Sequence, residues 1–146
     1  MEKAERVNRI RNSLHSEDEL VRRLPGVDAI YDEEIRDCVV RTFLDGCPDY
    51  FWELPTSSTG KYNSPDERGK HGNWIHTKRV FATYANMSES YLEAHEITER
   101  QREAGKAAAL IHDMMKYGWP SEGNEHTQNN HDVIAAEVAR HIGDCP

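Results

Sequence analysis

Apolar residues recur along this chain at intervals of three and four, which is the spacing of amphipathic helices. A first helix is marked by Val7, Ile10 and Leu14. Ser16 and Glu19 then form a capping-box pattern ahead of a short apolar run, which predicts the start of a second helix. The N-terminal part is therefore expected to consist of short helices.

A third helix is predicted to start at Asp32, because a carboxylate at a helix start accepts backbone N–H groups. Beyond it Ile35, Val39 and Phe43 recur at four-residue steps until Gly46. An aromatic run follows that is expected to pack in the core, and it consists of Tyr50, Phe51 and Trp52.

Prolines, glycines and serines interrupt every period from Leu54 to Gly72, which predicts a long loop. Long loops inside a compact domain are often functional. Helical periodicity then resumes at Asn73, and Val80 and Met87 fall on the same predicted face as His76. We therefore expect this face to pack inward, although an isolated histidine on an apolar stripe is more often a core residue than a ligand.

The segment 98–117 supplies a partner for His76. With about 100° per residue, its apolar residues fall on one helix face and its polar and small residues on another. The apolar face consists of Ala107, Leu110, Ile111 and Met114. The second face consists of Gly105, Ala109, His112, Asp113 and Lys116. The small residues Gly105 and Ala109 are expected to leave room for a metal and its waters, and the alternative is that Asp113 and Lys116 form an ordinary surface pair.

Two imidazoles and a carboxylate are a mixed nitrogen and oxygen set that holds divalent transition metals. A metal held in this way can activate water against a phosphate ester. If His76, His112 and Asp113 converge, the protein is expected to be a hydrolase.

Composition narrows the class of protein. The 146 residues suit one domain, and 37% hydrophobic against 30% charged residues is compatible with a folded core. Cys38, Cys47 and Cys145 are an odd number without paired spacing, which argues against a disulfide framework or a thiolate zinc site and favours a reducing compartment. No stretch is apolar enough to cross a membrane and no signal sequence is evident, so a cytoplasmic location is expected.

The net charge of −8 argues against binding along extended duplex nucleic acid. Between Gly60 and Val80, however, five basic residues outnumber Asp66 and Glu67, and they are Lys61, Arg68, Lys70, Lys78 and Arg79. This local excess could steer a phosphate-bearing small molecule or single-stranded nucleic acid. On charge alone, a solvated loop explains the excess equally well.

Several motifs occur in a characteristic order. His76 stands thirty-six residues before the His112–Asp113 pair, and Lys116 follows three residues after the aspartate. Three flanking segments are also similar to segments of the same known family, and they are Gly60–Pro65, Gly72–Thr77 and His131–Glu137. From Gly60 to Arg140 the chain resembles the HD-domain metal-dependent phosphohydrolase superfamily.

The resemblance implies an all-α fold, a compact HD-domain-like bundle of about five to seven helices. It implies one or two divalent transition metals (Mn, Fe, Co, Ni or Zn, with Mg as a further candidate) held by His76, His112 and Asp113. The implied activity is hydrolysis of a phosphomonoester or phosphodiester of a nucleotide, a cyclic nucleotide or a single-stranded nucleic-acid end. Asp113 and Lys116 are the expected catalytic residues, and substrate binding is expected from Lys61, His71, Arg79 and Lys116.

The family's last metal-binding aspartate comes from a later helix, and only Asp132 and Asp144 remain downstream here. Asp132 fits a helix cap better than a ligand. Three alternatives remain open: the core ends early, another chain completes it, or this member has lost the full site. The last alternative predicts a regulatory module that binds a phosphate ligand or a protein partner without catalysis.

Additional histidines could complete the site. His131 heads a stripe with Ala135, Val138 and Ile142, so it is the preferred fourth ligand and could complete a two-metal centre. His126, in a nearby loop, is a further candidate ligand. His71 occupies a position where similar proteins tend to have glycine.

The predicted organisation is a single domain, 1–146. It consists of N-terminal helices (1–53), a loop (54–72) and an HD-like metal-site core (73–146) that is expected to be cut short at its C-terminus. An apolar face around Val133, Ile134 and Val138 is expected to be covered by a second subunit or a completing chain.

Overall fold

A computed structural model of the chain describes residues 13–56 and 64–146. Across these residues it contains α-helices and two short 3₁₀ helices, Pro25–Ala29 and Pro120–Glu122, and no strand. The six α-helices are α1 (Glu17–Arg23), α2 (Glu33–Gly46), α3 (Tyr50–Glu53), α4 (Gly72–Glu93), α5 (Glu99–Ile111) and α6 (His131–His141). The predicted all-α bundle is confirmed. The helix predicted from Val7 and Ile10 lies almost wholly outside the described residues.

The starts of the first two helices follow the local sequence. The Ser16 hydroxyl accepts the Glu19 N–H over 3.2 Å, but the Glu19 carboxylate accepts from His15 N–H, so only half of the predicted capping box forms. At α2 the Asp32 carboxylate accepts the Ile35 N–H over 3.1 Å, as predicted. Both caps satisfy N–H groups that the first helical turn leaves without partners.

Helix α2 lies at the centre of the core, with α1, α5 and α6 packed against it, while α4 packs along α5. The predicted aromatic run Tyr50–Trp52 is buried. The apolar face predicted for the α5 segment is also buried, and it consists of Ala107, Leu110, Ile111 and Met114. Periodicity therefore identified the inward faces of α2 and α5 correctly.

A disulfide joins Cys38 on α2 to Cys145 near the C-terminus, while Cys47 is a buried free thiol. The expectation that the cysteines would form no disulfide was wrong. The two partners lie 107 residues apart in sequence, and packing brings their Cα atoms within 5.0 Å. Spacing along the chain carries no information about a pair that only the tertiary fold brings together.

Three further expectations need correction. Met87 is 52% exposed, because the buried side of α4 carries Asn73, Thr77 and Ser88 rather than the predicted stripe. Helix α5 ends at Ile111, and residues 112–117 form turns. The expected open apolar face on α6 does not form: Ile134 and Val138 are buried and only Val133 is exposed.

Gly105 does not provide room for a metal. A Cβ atom built at this position would lie 1.8 Å from the Tyr84 hydroxyl, so the glycine allows α4 and α5 to approach closely.

None of the helices among residues 13–56 and 64–146 combines the length and apolar character needed to span a membrane.

Candidate metal centre

The principal site residues come from the start of α4 and from the end of α5. His76 lies in the second turn of α4, and His112 is the C-cap residue of α5 with Asp113 directly after it. The Nε2 atoms of His76 and His112 lie 3.2 and 3.0 Å from the same oxygen of Asp113, Oδ2. Ligand atoms of these three residues all lie within 4.8 Å of one another. Their predicted convergence is therefore present.

Asp113 is 3% exposed, so its charge requires compensation inside the protein. The second carboxylate oxygen, Oδ1, lies 3.1 Å from His131 Nε2 and 3.3 Å from Lys116 Nζ. Burial opposes ionisation of Asp113, but the hydrogen bonds with His112 and His76 outweigh it and hold the pKa well below its usual range. The carboxylate is therefore ionised at neutral pH.

The other ring nitrogen of each histidine has an acceptor of its own. His76 Nδ1 lies 2.7 Å from Glu67 Oε1, and His112 Nδ1 lies 2.9 Å from the Ala109 carbonyl oxygen. His131 Nδ1 lies 2.6 Å from the Gln128 carbonyl oxygen. These oxygens can only accept, so each Nδ1 carries a hydrogen and each ring presents its Nε2 to Asp113, where this nitrogen can hold a proton or a metal ion.

Lone pairs directed at a carboxylate repel it unless a proton or a metal cation lies between them. Without metal, protons take this place: the hydrogen bond with Asp113 raises the pKa of His76 against the effect of burial. At His112 burial lowers the pKa, but the hydrogen bond and charge of Asp113 outweigh it, so that this pKa is raised too. A divalent cation fits the same donor set, displacing these protons as it binds.

Glu67 is anchored by its own partners. It is 8% exposed, and its second oxygen accepts from Arg79 over 2.7 Å and from the Ser64 hydroxyl over 2.8 Å. Burial raises the pKa of Glu67, but the Arg79, Ser64 and His76 hydrogen bonds outweigh burial and lower it. Glu67 therefore stays ionised and orients the His76 ring, which is a typical role for a carboxylate behind a metal-ligating histidine.

Arg79 was predicted to bind substrate, but the structure pairs it with the acidic turn. Besides Glu67, the guanidinium group hydrogen-bonds both carboxylate oxygens of Asp66. The local positive excess predicted around Arg79 is therefore partly neutralised. Lys61, another predicted substrate contact, lies outside the described residues.

His71, another predicted substrate contact, lies against two tryptophans. Its Nδ1 lies 2.6 Å from the Trp52 carbonyl oxygen, and its ring packs edge-on against Trp74. The residue has a φ of 64°, in the left-handed region that glycine adopts with the least strain. This backbone conformation is one that favours glycine, the residue that the resemblance led us to expect at this position.

The remaining candidate ligands differ in position. His131 reaches Asp113 Oδ1 but stands outside the three-residue group around Oδ2. His126 is exposed and joins no such group among the described residues. Asp132 is exposed as well, and its carboxylate accepts the Val133 N–H over 2.9 Å. Within residues 13–56 and 64–146, no second carboxylate joins His76, His112 and Asp113.

Two site residues were missed by sequence reasoning. Glu67 was counted only as a charge, since nothing in a proline- and glycine-rich turn indicates contact with a histidine nine residues later. Asn73 is fully buried, and its Nδ2 donates to the Asp113 backbone carbonyl over 3.0 Å. Its place three residues before His76, at the start of the same motif, was the available signal.

The helical bundle and the His76–His112–Asp113 cluster define a helical protein with a candidate divalent-metal centre. The chain belongs to the HD domain family, whose model matches residues 73–146, half of the chain. Members of this family are generally metal-dependent phosphohydrolases. No curated protein and no solved structure gave a match to the chain.

Proposed function

We propose that this protein is a metal-dependent phosphohydrolase that cleaves a phosphomonoester or phosphodiester. The observation that supports this most is the convergence of two imidazole Nε2 atoms on one oxygen of a buried, ionised carboxylate. A divalent cation fits this donor set, and membership of the HD domain family indicates which chemistry such a cation serves.

His76, His112 and Asp113 would hold the ion, and Glu67 and the Ala109 carbonyl would fix the two imidazole rings. When bound, a divalent ion supplies Lewis acidity, which polarises a phosphoryl oxygen and lowers the pKa of a coordinated water. Lys116 lies on the Oδ1 side of Asp113, where its ammonium group can offset negative charge on the substrate phosphate.

The substrate is proposed to be a nucleotide, a cyclic nucleotide or the end of a single-stranded nucleic acid. The cytoplasm is proposed as the site of action, and the Cys38–Cys145 disulfide counts against it because disulfides are rare in a reducing compartment. One ion per chain fits the three-residue group, and Mn, Fe, Co, Ni and Zn all accept nitrogen and oxygen ligands of this type, with Mg as a further candidate. His131 with Asp113 Oδ1 offers the position for a second ion, if two are bound.

A second candidate function is a catalytically incomplete HD domain that binds a phosphate ligand or a protein partner. One specific observation favours it: among residues 13–56 and 64–146, no second carboxylate joins the group. Three protein ligands can serve a catalytic site that keeps positions open for water and substrate, which favours the hydrolase.

Metal content and turnover distinguish the two functions. The purified protein is loaded in turn with each of the six metals, and hydrolysis of p-nitrophenyl phosphate and of bis(p-nitrophenyl) phosphate is measured. We expect turnover with at least one metal, and we expect Asp113→Asn to lose both tight metal binding and turnover. Asp37→Asn, which changes an exposed carboxylate on α2, is the matched control and should retain both.

Three combinations of metal binding and turnover decide between the two functions and test the centre itself. Bound metal without turnover of either ester, unchanged in Asp113→Asn, would rule out the hydrolase. Bound metal that Asp113→Asn abolishes, again without turnover, would support the binding module. If Asp113→Asn and His112→Ala both bind metal as tightly as the parent, the proposed centre itself is wrong.

A further inference from the structure

Helix α5 ends just before Asp113, and a side chain from another element takes part in ending it. If the helix continued, the Tyr117 N–H would donate to the Asp113 carbonyl oxygen, four residues earlier. In this structure the Tyr117 N–H donates instead to the buried Tyr50 hydroxyl over 3.2 Å, and that hydroxyl donates to the Gly118 carbonyl oxygen over 2.7 Å. The Asp113 carbonyl is therefore left to accept from a different donor.

Asn73 supplies that donor. It lies fully buried in the first turn of α4, and its Nδ2 donates to the Asp113 carbonyl oxygen over 3.0 Å. Its own backbone N–H donates to the Leu54 carbonyl oxygen over 3.1 Å, which ties the start of α4 to the preceding segment. The amide of Asn73 thus takes the place of the helical donor at Asp113.

Helix α4 contacts Asp113 at both its backbone and its carboxylate. His76 lies three residues after Asn73, so both residues face the same side of the helix. The Nε2 atom of His76 lies 3.2 Å from Asp113 Oδ2, while Asn73 contacts the Asp113 carbonyl. Because both contacts come from one helical turn, the hydrogen bond of Asn73 fixes where the Asp113 carboxylate lies relative to His76.

The other end of the Asn73 amide shows what this side chain contributes. Its Oδ1 is buried and has no hydrogen-bond partner among residues 13–56 and 64–146. A buried polar atom without a partner destabilises a fold, and an apolar residue at this position would avoid that cost. Such a residue would leave the Asp113 carbonyl without its donor, so the benefit of asparagine lies in its contact with Asp113.

We propose that Asn73 is a positioning residue of the candidate metal centre. By donating to the Asp113 carbonyl in place of Tyr117, it places the Asp113 carboxylate between His76 and His112. This inference rests on the proposed function for the binding of a metal ion at these residues. The placement of the carboxylate itself is argued from the hydrogen bonds alone.

Asn73→Ala tests the proposal, because it removes the donor and leaves the three candidate ligands unchanged. Affinity for Zn²⁺ and for Mn²⁺ is measured by competition with a chromogenic chelator, and stability by urea denaturation. We expect the affinity to fall by about 10- to 100-fold, since a displaced carboxylate completes the ligand group less well. In the metal-free variant the ring ¹⁵N NMR signals of His76 and His112 should shift, because both rings contact Asp113 Oδ2.

Ser88→Ala is the matched control. Ser88 is also buried on α4, and its hydroxyl accepts from Arg102 on α5 over 3.0 Å. It lies twelve residues after His76, about 18 Å along the helix. This variant should also lose stability, whereas its metal affinity and its histidine signals should match those of the parent.

Tyr50→Phe disturbs the same arrangement without changing Asn73. It removes the acceptor of the Tyr117 N–H, which can then donate to the Asp113 carbonyl and compete with the Asn73 amide. We therefore expect weaker metal binding and shifted histidine signals in this variant too. Tyr50→Phe decides the question if Asn73→Ala does not fold.

The inference is wrong if Asn73→Ala binds metal as tightly as the parent, or if Tyr50→Phe does so where Asn73→Ala does not fold. It is also wrong if Ser88→Ala loses as much metal affinity as Asn73→Ala. If the parent binds neither metal, the proposed function fails, and the histidine signals of the metal-free protein then decide. Signals that shift in Asn73→Ala but not in Ser88→Ala would support the positioning of Asp113, and unchanged signals would overturn it.

Discussion

His76 donates a hydrogen bond from Nδ1 to Oε1 of Glu67 over 2.7 Å, and Glu67 in turn accepts from Arg79 over 2.7 Å. This relay fixes the tautomer of His76 and directs its Nε2 at Asp113. The orientation of one candidate metal ligand thus depends on a carboxylate from the turn that precedes its helix.

Replacing Glu67 should weaken metal binding. In Glu67→Gln the amide can still occupy the space, but its charge is lost and its NH₂ group can turn toward His76, so the ring is no longer held in one tautomer. We expect a loss of metal affinity of about 10- to 100-fold, measured by competition with a chromogenic chelator. The exposed Glu53→Gln is the control, and equal losses in both variants would contradict the orienting role of Glu67.

Removing His131 should leave one metal ion per chain. His131 contacts Asp113 Oδ1, whereas the three-residue group lies around Oδ2. We expect His131→Ala to retain the stoichiometry of the parent with less than about tenfold loss of affinity, measured by elemental analysis and titration calorimetry. His141→Ala on the exposed side of α6 is the matched control. Two ions in the parent and one in His131→Ala would instead make His131 a ligand of a second ion.

Lys116→Met should impair substrate binding more than metal binding. The ammonium group lies 3.3 Å from Asp113 Oδ1, so it contributes charge beside the centre without belonging to the three-residue ligand group. Loss of a charged hydrogen bond to phosphate should lower kcat/KM for p-nitrophenyl phosphate by about 10- to 100-fold. Metal content by elemental analysis should match that of the parent. An unchanged kcat/KM would remove Lys116 from the catalytic residues.

The buried Glu103–Lys106 pair should make stability depend on pH. Glu103 accepts from Lys106 over 2.8 Å and from the Tyr31 and Asp32 N–H groups. Burial raises the pKa of Glu103, but these hydrogen bonds outweigh it and lower the pKa. A lowered folded-state pKa contributes stability above the unfolded value, near pH 4.3, and this stability is lost as the pH falls through the folded value.

Glu103→Gln should therefore cost about 3 kcal/mol in the free energy of unfolding at pH 7, since it leaves the buried Lys106 without its partner charge. Urea denaturation of parent and variant from pH 7 down to pH 3 should show the two curves converging below about pH 4. Glu99→Gln, exposed in the first turn of α5, should differ little from the parent throughout. A constant difference across this range would contradict the assigned role of the Glu103 charge.

Reduction of the Cys38–Cys145 disulfide should destabilise the fold. The bond closes a loop across 107 residues of chain, and a loop of this length constrains the unfolded state strongly. We expect dithiothreitol to lower the free energy of unfolding by about 2–4 kcal/mol, measured by urea denaturation. The double variant Cys38→Ser/Cys145→Ser should start at the lower value and show no effect of dithiothreitol. If the parent is equally insensitive, the two thiols are not bonded in solution.

Local order was largely determined by the sequence itself. The Asp32 cap and the buried faces of α2 and α5 followed from side chain to backbone hydrogen bonds and from helical periodicity, which act over a few residues. His112 and Asp113 are consecutive in the sequence, and the resemblance to the HD-domain superfamily indicated His76 as their partner.

Only the tertiary structure decided which groups surround these residues. Glu67 behind His76, Asn73 on the Asp113 carbonyl, and Cys38 bonded to Cys145 are contacts between separate turns and helices. Tyr84 occupies the space beside Gly105 for the same reason. Periodicity describes the faces of one helix, whereas these contacts depend on how helices pack against each other, so the surroundings of the metal centre became visible only in the folded chain.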